Sequence, residues 1–163
     1  MSNFSADVDG AMAAARAGLR IQPEHQMAAQ EDHRRPLVVL VEDDDEIREM
    51  YSLGLELADF EVAGFADYSG VARLLDMRIP DVVVLDWQLS GFLTGADILI
   101  NLRRDSRTED TPVVFLSNFP SQIGRDGPAW LLKSETTPAD LASRLRRVLR
   151  SPISQEIARP TQP

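Results

Sequence analysis

The chain has 163 residues, of which 44% are hydrophobic and 26% charged, with a net charge of -9 and no cysteine. That is the length of one ordinary domain with room for tails, and the composition of a soluble globular protein. Without cysteine there are no disulfides, thiolate metal sites or thiol nucleophiles; the acidic balance opposes an electrostatic grip on nucleic acid; and no apolar run approaches the roughly 20 residues of a membrane span.

Residues 1–36 are polar, apart from the alanine-rich stretch Ala11 to Leu19, and read as a flexible arm with at most a transient helix. The first ten residues carry acids and no apolar signal core, so a cytoplasmic location is expected. Leu37 to Val41 is a short, wholly apolar run of strand type, and an acidic run, Glu42 to Glu46, follows it. Ile47, Met50, Tyr51, Gly54 and Ala58 then fall on one helical face. A second strand is predicted over Phe60 to Phe65 and a short helix over Val71 to Met77, with Pro80 closing that helix before a third strand at Val82 to Leu85. Thr94 and Asp97 form a capping-box pattern that opens a helix through Ala96, Leu99 and Leu102.

A fourth strand is predicted at Val113 to Leu116 and a fifth near Ala129 to Leu132. Between them Asn118 to Pro128 include Pro120, Gly124, Gly127 and Pro128, so a loop or single turn is expected where a parallel crossover normally carries a helix. In the last helix Thr137 is the cap, Pro138 the first helical residue, and Leu141, Leu145, Val148 and Leu149 the apolar stripe. Arg144, Arg146, Arg147 and Arg150 suit its carboxyl-terminal turn and a solvated face. Residues 151–163 hold three prolines and read as a disordered tail. Apolar runs alternating with amphipathic stretches predict an α/β fold, a parallel sheet covered on both faces over residues 37–150.

The chemistry lies at the ends of those strands. Glu42 and Asp43 follow the first strand, Asp86 the third, Ser117 the fourth and Lys133 the fifth. In an open parallel sheet, ligands bind in the crevice outside the carboxyl ends of the strands, so these groups are expected to converge. Taken singly each has a plainer reading: a charge run is usually a solvated helix start, a lone Asp or Ser after a strand a cap, a lone Lys a surface residue. Their shared address favours a pocket for a divalent cation and a phosphoryl group. Hard carboxylate oxygens of Glu42 and Asp43 suit Mg²⁺, although spacing alone does not fix their register against Asp44. Asp86 is the candidate nucleophile, Lys133 supplies a compact cation and Ser117 a hydroxyl donor for phosphate oxygens.

The segment Leu40 to Arg48, the run Val84 to Leu89, Ser117, Trp130 and Lys133 together resemble the receiver domain of two-component response regulators. The resemblance covers residues 37–150. It implies a flavodoxin-like five-stranded parallel sheet of order 2-1-3-4-5, with the fourth helix short or missing here. It further implies that Glu42, Asp43, Asp86 and the backbone carbonyl of Gln88 hold Mg²⁺, that Asp86 is the phosphoacceptor, and that Ser117, Lys133 and Trp130 form the phosphate-binding and switch set. In this chain Ser90 stands where the family usually has proline, the loop to Gly95 is one residue longer, and Ser134 replaces the proline that usually follows the lysine through a cis bond; a trans bond is expected at Ser134.

With only thirteen residues after Arg150, the expectation is a single-domain regulator. It would take its phosphoryl group from a sensor histidine kinase or histidine phosphotransfer protein and signal to a downstream protein, with no direct contact to nucleic acid or membrane and with room for a homodimer. A phosphorylation-independent receiver acting as a constitutive docking module is the alternative. A haloacid dehalogenase-like phosphatase would need an aspartate where Gln88 stands, and a nucleotide carrier a glycine-rich loop where the acidic run stands. His25 and His33 read as solvated arm residues.

Overall fold

A computed structural model of the chain describes residues 34–120 and 129–150. Along these run β1 (Leu37–Val41), α1 (Asp45–Leu57), β2 (Glu61–Phe65), α2 (Tyr68–Leu75), β3 (Val82–Leu85), α3 (Gly95–Arg104), β4 (Val113–Ser117), β5 (Ala129–Leu132), a 3₁₀ turn at Lys133–Glu135 and α4 (Pro138–Arg150). The five strands form one sheet of order β2-β1-β3-β4-β5, and every pairing is parallel. This is the α/β, flavodoxin-like order that the sequence implied.

Why β1, β3 and β4 are continuously apolar is clear from the layers on either side. Val38, Leu40, Val82, Val84, Val114 and Leu116 face Tyr51 and Leu55 of α1 and Leu141, Ala142 and Leu145 of α4. Their neighbours Val39, Val41, Val83, Leu85, Val113 and Phe115 face Val71 and Leu75 of α2 and Ile98 and Leu102 of α3. A strand with helices on both faces has no solvent side on which to place polar residues. The edge strands β2 and β5 are only half-buried.

Each helix starts where a short polar side chain accepts a backbone N–H. Asp44 caps α1 by accepting from the Ile47 amide at 3.0 Å, which leaves Glu42 and Asp43 as the two acids before the helix. Thr94 and Asp97 make the expected reciprocal box at α3, and Thr137 and Asp140 make another at α4. The trans bond expected before Ser134 is present, since the described backbone contains no cis peptide.

Three sequence expectations shift. The helix placed at Val71 to Met77 begins at Tyr68 and ends at Leu75, because Asp67 accepts from the amides of Ser69 and Gly70 and starts it earlier. Phe60 lies outside β2, because its amide turns back to the Leu55 carbonyl at 3.1 Å while Asp59 takes a positive φ of 64°, closing α1 without a glycine. Met50 is 47% exposed, and Leu55 takes its predicted place on the buried face of α1. The Arg cluster is also less uniform than expected. Arg146, Arg147 and Arg150 are exposed, and Arg146 also lies over the Phe60 ring, 5.6 Å from its centroid, and donates to the Ala58 carbonyl, whereas Arg144 is half-buried.

Residues 1–33 of the expected arm, with the expected Ala11 to Leu19 helix and both histidines, residues 121–128 of the crossover where a loop was expected, and the expected tail at 151–163 lie outside the described residues. Among the described residues no helix is long and apolar enough to cross a membrane.

Helices α1 and α4 meet where Gly54 faces Pro138. A Cβ on Gly54 would lie 2.2 Å from the proline Cβ, closer than atoms can approach, and the proline ring is too stiff to yield. Gly54→Ala improves helix propensity by about 1 kcal/mol, but overpacking of about 1–3 kcal/mol outweighs it. Urea unfolding of the variant is expected to show a net loss of stability; a gain would mean that the two helices separate freely.

Candidate functional site

All of the strand-end groups that the sequence singled out lie along the same edge of the sheet, because every strand runs the same way. Pairing of Val41 with Leu85 brings the ends of β1 and β3 side by side, and the Asp86 amide continues the ladder by donating to the Val41 carbonyl at 2.9 Å. Glu42 does the same toward β2, donating to the Phe65 carbonyl at 3.0 Å. These backbone bonds fix the two acids before their side chains make any contact.

Glu42 and Asp86 are buried, at 2% and 4% exposure. The Lys133 ammonium lies between them, its Nζ 2.6 Å from Glu42 Oε2 and 2.8 Å from Asp86 Oδ2. Burial pushes the Glu42 carboxyl above its ordinary range, Lys133 pulls against that, and the neighbouring Asp86 charge pushes it further up. For Lys133, burial favours the neutral amine, but hydrogen bonds and attraction from Asp86 and Glu42 win and hold it above the ordinary lysine value. Asp43, at the rim, is lowered: burial acts upward, and hydrogen bonds from Ser90 overcome it. The Ser90 amide donates to Asp43 Oδ2 at 2.9 Å, a contact open to serine and closed to proline, which has no N–H.

Glu42, Asp43 and Asp86 each offer a carboxylate oxygen, and these oxygens all lie within 4.8 Å of one another. Three hard oxygen donors, two buried and one at the rim, fit Mg²⁺ or a similar hard cation. Gln88 is exposed two residues past Asp86, and its amide donates to Asp86 Oδ1 at 3.1 Å. Ser117 is fully buried and belongs to a second, adjoining arrangement. Its Oγ accepts from the Phe119 amide at 3.2 Å, while the Trp130 indole N–H donates to the Phe119 carbonyl at 2.8 Å. Trp130 also packs against Trp87 and Phe115, with ring centroids 5.0 and 5.1 Å away. The residue after Asp86, the strand β4 interior and the β5 aromatic are therefore one packed unit.

Several contributors were not singled out from sequence. Arg48 donates to the Glu42 carbonyl at 2.7 Å. Gly95 lets α3 start against the site, for a Cβ there would be 2.2 Å from the Asp86 carbonyl oxygen. Tyr51 lies on the helical face expected from the sequence, and its hydroxyl donates to the Thr136 carbonyl at 2.7 Å, just after the turn that carries Lys133. A buried tyrosine needs a partner for its hydroxyl, and that requirement was the available signal.

A family profile for the response regulator receiver domain matches residues 38–123. The chain belongs to that family and is a receiver domain of the two-component type. Among curated relatives, the phosphate regulon transcriptional regulatory protein PhoB of Escherichia coli is 32% identical over 126 residues, covering 73% of this chain and 55% of the relative. PhoB of Pseudomonas aeruginosa is 29% identical over 121 residues, covering 69% of this chain and 51% of that protein. The chain thus spans about half the length of the curated relatives it matches. Among solved structures, the chemotaxis protein CheY4 of Vibrio cholerae superposes with a TM-score of 0.62 at 28% identity, covering 70% of this chain and 98% of that one.

The Lys133 pair makes a pH prediction. Lys133→Met leaves two buried carboxylates facing each other and is expected to cost about 3–5 kcal/mol near neutral pH. With the ammonium gone, burial and the neighbouring charge raise the Glu42 carboxyl unopposed, so the variant's stability should rise as pH falls through that raised folded value. In the wild type the sign is set by the ammonium: its raised pKa means that its contribution is complete below 10.5 and is lost as pH climbs through the folded value. Urea titrations across pH check both; a variant whose deficit does not shrink in acid would contradict the pairing.

Proposed function

We propose that this receiver domain, folded over residues 37–150, accepts a phosphoryl group on Asp86 from the phosphohistidine of a sensor histidine kinase or a histidine phosphotransfer protein. The bond from phosphorus to the imidazole nitrogen breaks as one to an Asp86 carboxylate oxygen forms, and the imidazole keeps the electron pair. The observation that carries this reading is the Lys133 ammonium held between two buried acids, with a third acid completing a cluster of oxygen donors.

Glu42, Asp43, Asp86 and the Gln88 carbonyl would hold Mg²⁺. When bound, the ion offsets the repulsion between the carboxylates and an incoming phosphoryl dianion. Asp86 supplies the attacking oxygen. Lys133, charged at neutral pH, can turn from Asp86 Oδ2 to a phosphoryl oxygen without crossing solvent. Ser117 has a hydroxyl whose proton is free to donate while its oxygen accepts from Phe119. Moving that hydroxyl toward the phosphoryl group breaks the Phe119 contact and so disturbs Trp130, which is bonded to the same peptide. A change at Asp86 is thereby read at the surface of β5, as a shift between two packings.

A protein partner also has a surface to meet. Met50, Leu53 and Leu57 are 47%, 56% and 82% exposed at spacings of three and four along α1, flanked by exposed Glu49 and Glu56. An apolar stripe with a polar rim suits a helical partner. Output through contact with a downstream protein follows from the same reasoning.

Intact-protein mass after incubation with acetyl phosphate and Mg²⁺ tests the proposal. The expected result is a gain of one phosphoryl group that needs Mg²⁺ and is absent in Asp86→Asn. No gain in the wild type, measured faster than hydrolysis, would instead favour a constitutive docking module.

A further inference from the structure

We infer that Tyr51 is a positioning residue for Lys133, acting through the turn that follows β5. This rests on the reading of Lys133 as the phosphate-facing cation. Lys133 is the first residue of a single 3₁₀ turn, Lys133–Glu135, whose closing bond from the Thr136 amide to the Lys133 carbonyl is long at 3.4 Å. A lone turn of that kind is a weak anchor for a side chain that must meet two oxygens at once. The compensating contact comes from another element. Tyr51 is 1% exposed, and its hydroxyl donates to the Thr136 carbonyl at 2.7 Å, at the far end of the turn. Thr136 is itself buried, so its carbonyl would lose that bond without replacement.

Two further contacts make α1 a common frame for both ends of the ion pair. One turn before Tyr51, Arg48 donates to the Glu42 carbonyl at 2.7 Å. Nearly one turn after it, Gly54 packs against Pro138, just past the residue that Tyr51 holds. Glu42 and Lys133 come from opposite ends of the domain sequence, yet both backbones are tied to the same three turns of helix. The Tyr51 hydroxyl also lies within the field of both groups: burial raises its pKa, Lys133 lowers it and Glu42 raises it.

The test compares wild type, Tyr51→Phe and Leu55→Val, all as full chains, in phosphorylation by acetyl phosphate with Mg²⁺ varied. Tyr51→Phe keeps the ring and removes only the donor, and Leu55→Val trims a fully buried neighbour on the same helix whose carbonyl bonds run to the Ala58 and Phe60 amides. Misplacing a reacting group by a fraction of an ångström is costly, so the saturating rate of Tyr51→Phe is expected to fall about 10-fold. Its half-saturating Mg²⁺ concentration should stay within about 2-fold, because the carboxylate donors are placed by the backbone bonds of their own strand ends. Leu55→Val should lower the melting temperature and keep the wild-type rate. Equal rates for wild type and Tyr51→Phe, or equal slowing by Tyr51→Phe and Leu55→Val, would overturn the positioning role. A wild type that takes no phosphoryl group would overturn the reading of the site itself.

Discussion

One ammonium between two buried carboxylates is the constraint to which the rest of the domain conforms. Removing Lys133, Glu42 and Asp86 from water is costly for each alone, and only their mutual contacts, 2.6 and 2.8 Å long, make the arrangement tolerable. Those contacts require three chain segments, after β1, β3 and β5, to end at the same height. A wholly parallel sheet provides this, since all its strands finish at one edge. The same desolvation that strains the site also makes it useful. Burial makes Glu42 reluctant to ionise, the two acids keep Lys133 charged against that burial, and three carboxylates around one ammonium leave a hollow to which a hard cation can add.

The supporting structure is organised to keep this edge aligned. On one face α1 ties the Glu42 backbone through Arg48 and the Lys133 turn through Tyr51, and it meets α4 through the bare backbone of Gly54. On the other, α3 begins against the Asp86 carbonyl because Gly95 lacks a side chain. Trp87, Phe115 and Trp130 then lock the strand that carries Asp86 to β4 and β5. Beside this packing, Ser117 and Trp130 share the residue Phe119 through hydrogen bonds to its amide and its carbonyl.

Much of this was legible in the amino-acid sequence because buried parallel strands advertise themselves. Leu37 to Val41 and Val82 to Leu85 could hardly be anything else, and the polar residue that ends each run marks the functional edge. Capping by Thr94 and Thr137 was legible for the same local reason. What escaped depends on contacts between distant segments. Nothing near Met50 says that it points to solvent and Leu55 to the core, since both suit a helical stripe of about 100°. The register of the acids stayed open until Asp44 was seen to bond the Ile47 amide. Tyr51 to Thr136 spans 85 positions, and the clash that demands glycine at position 95 is with a carbonyl nine residues earlier.

A calorimetric titration of Mg²⁺ into the full chain, beside Asp43→Asn, addresses the central claim most directly: that the carboxylates converging beside Lys133 form a site for a divalent cation. Saturable binding of one ion per chain is expected, weakened about 10-fold or more when the Asp43 charge is removed while the fold is kept. Absence of saturable binding by the wild type, or equal affinity in the two proteins, would contradict it.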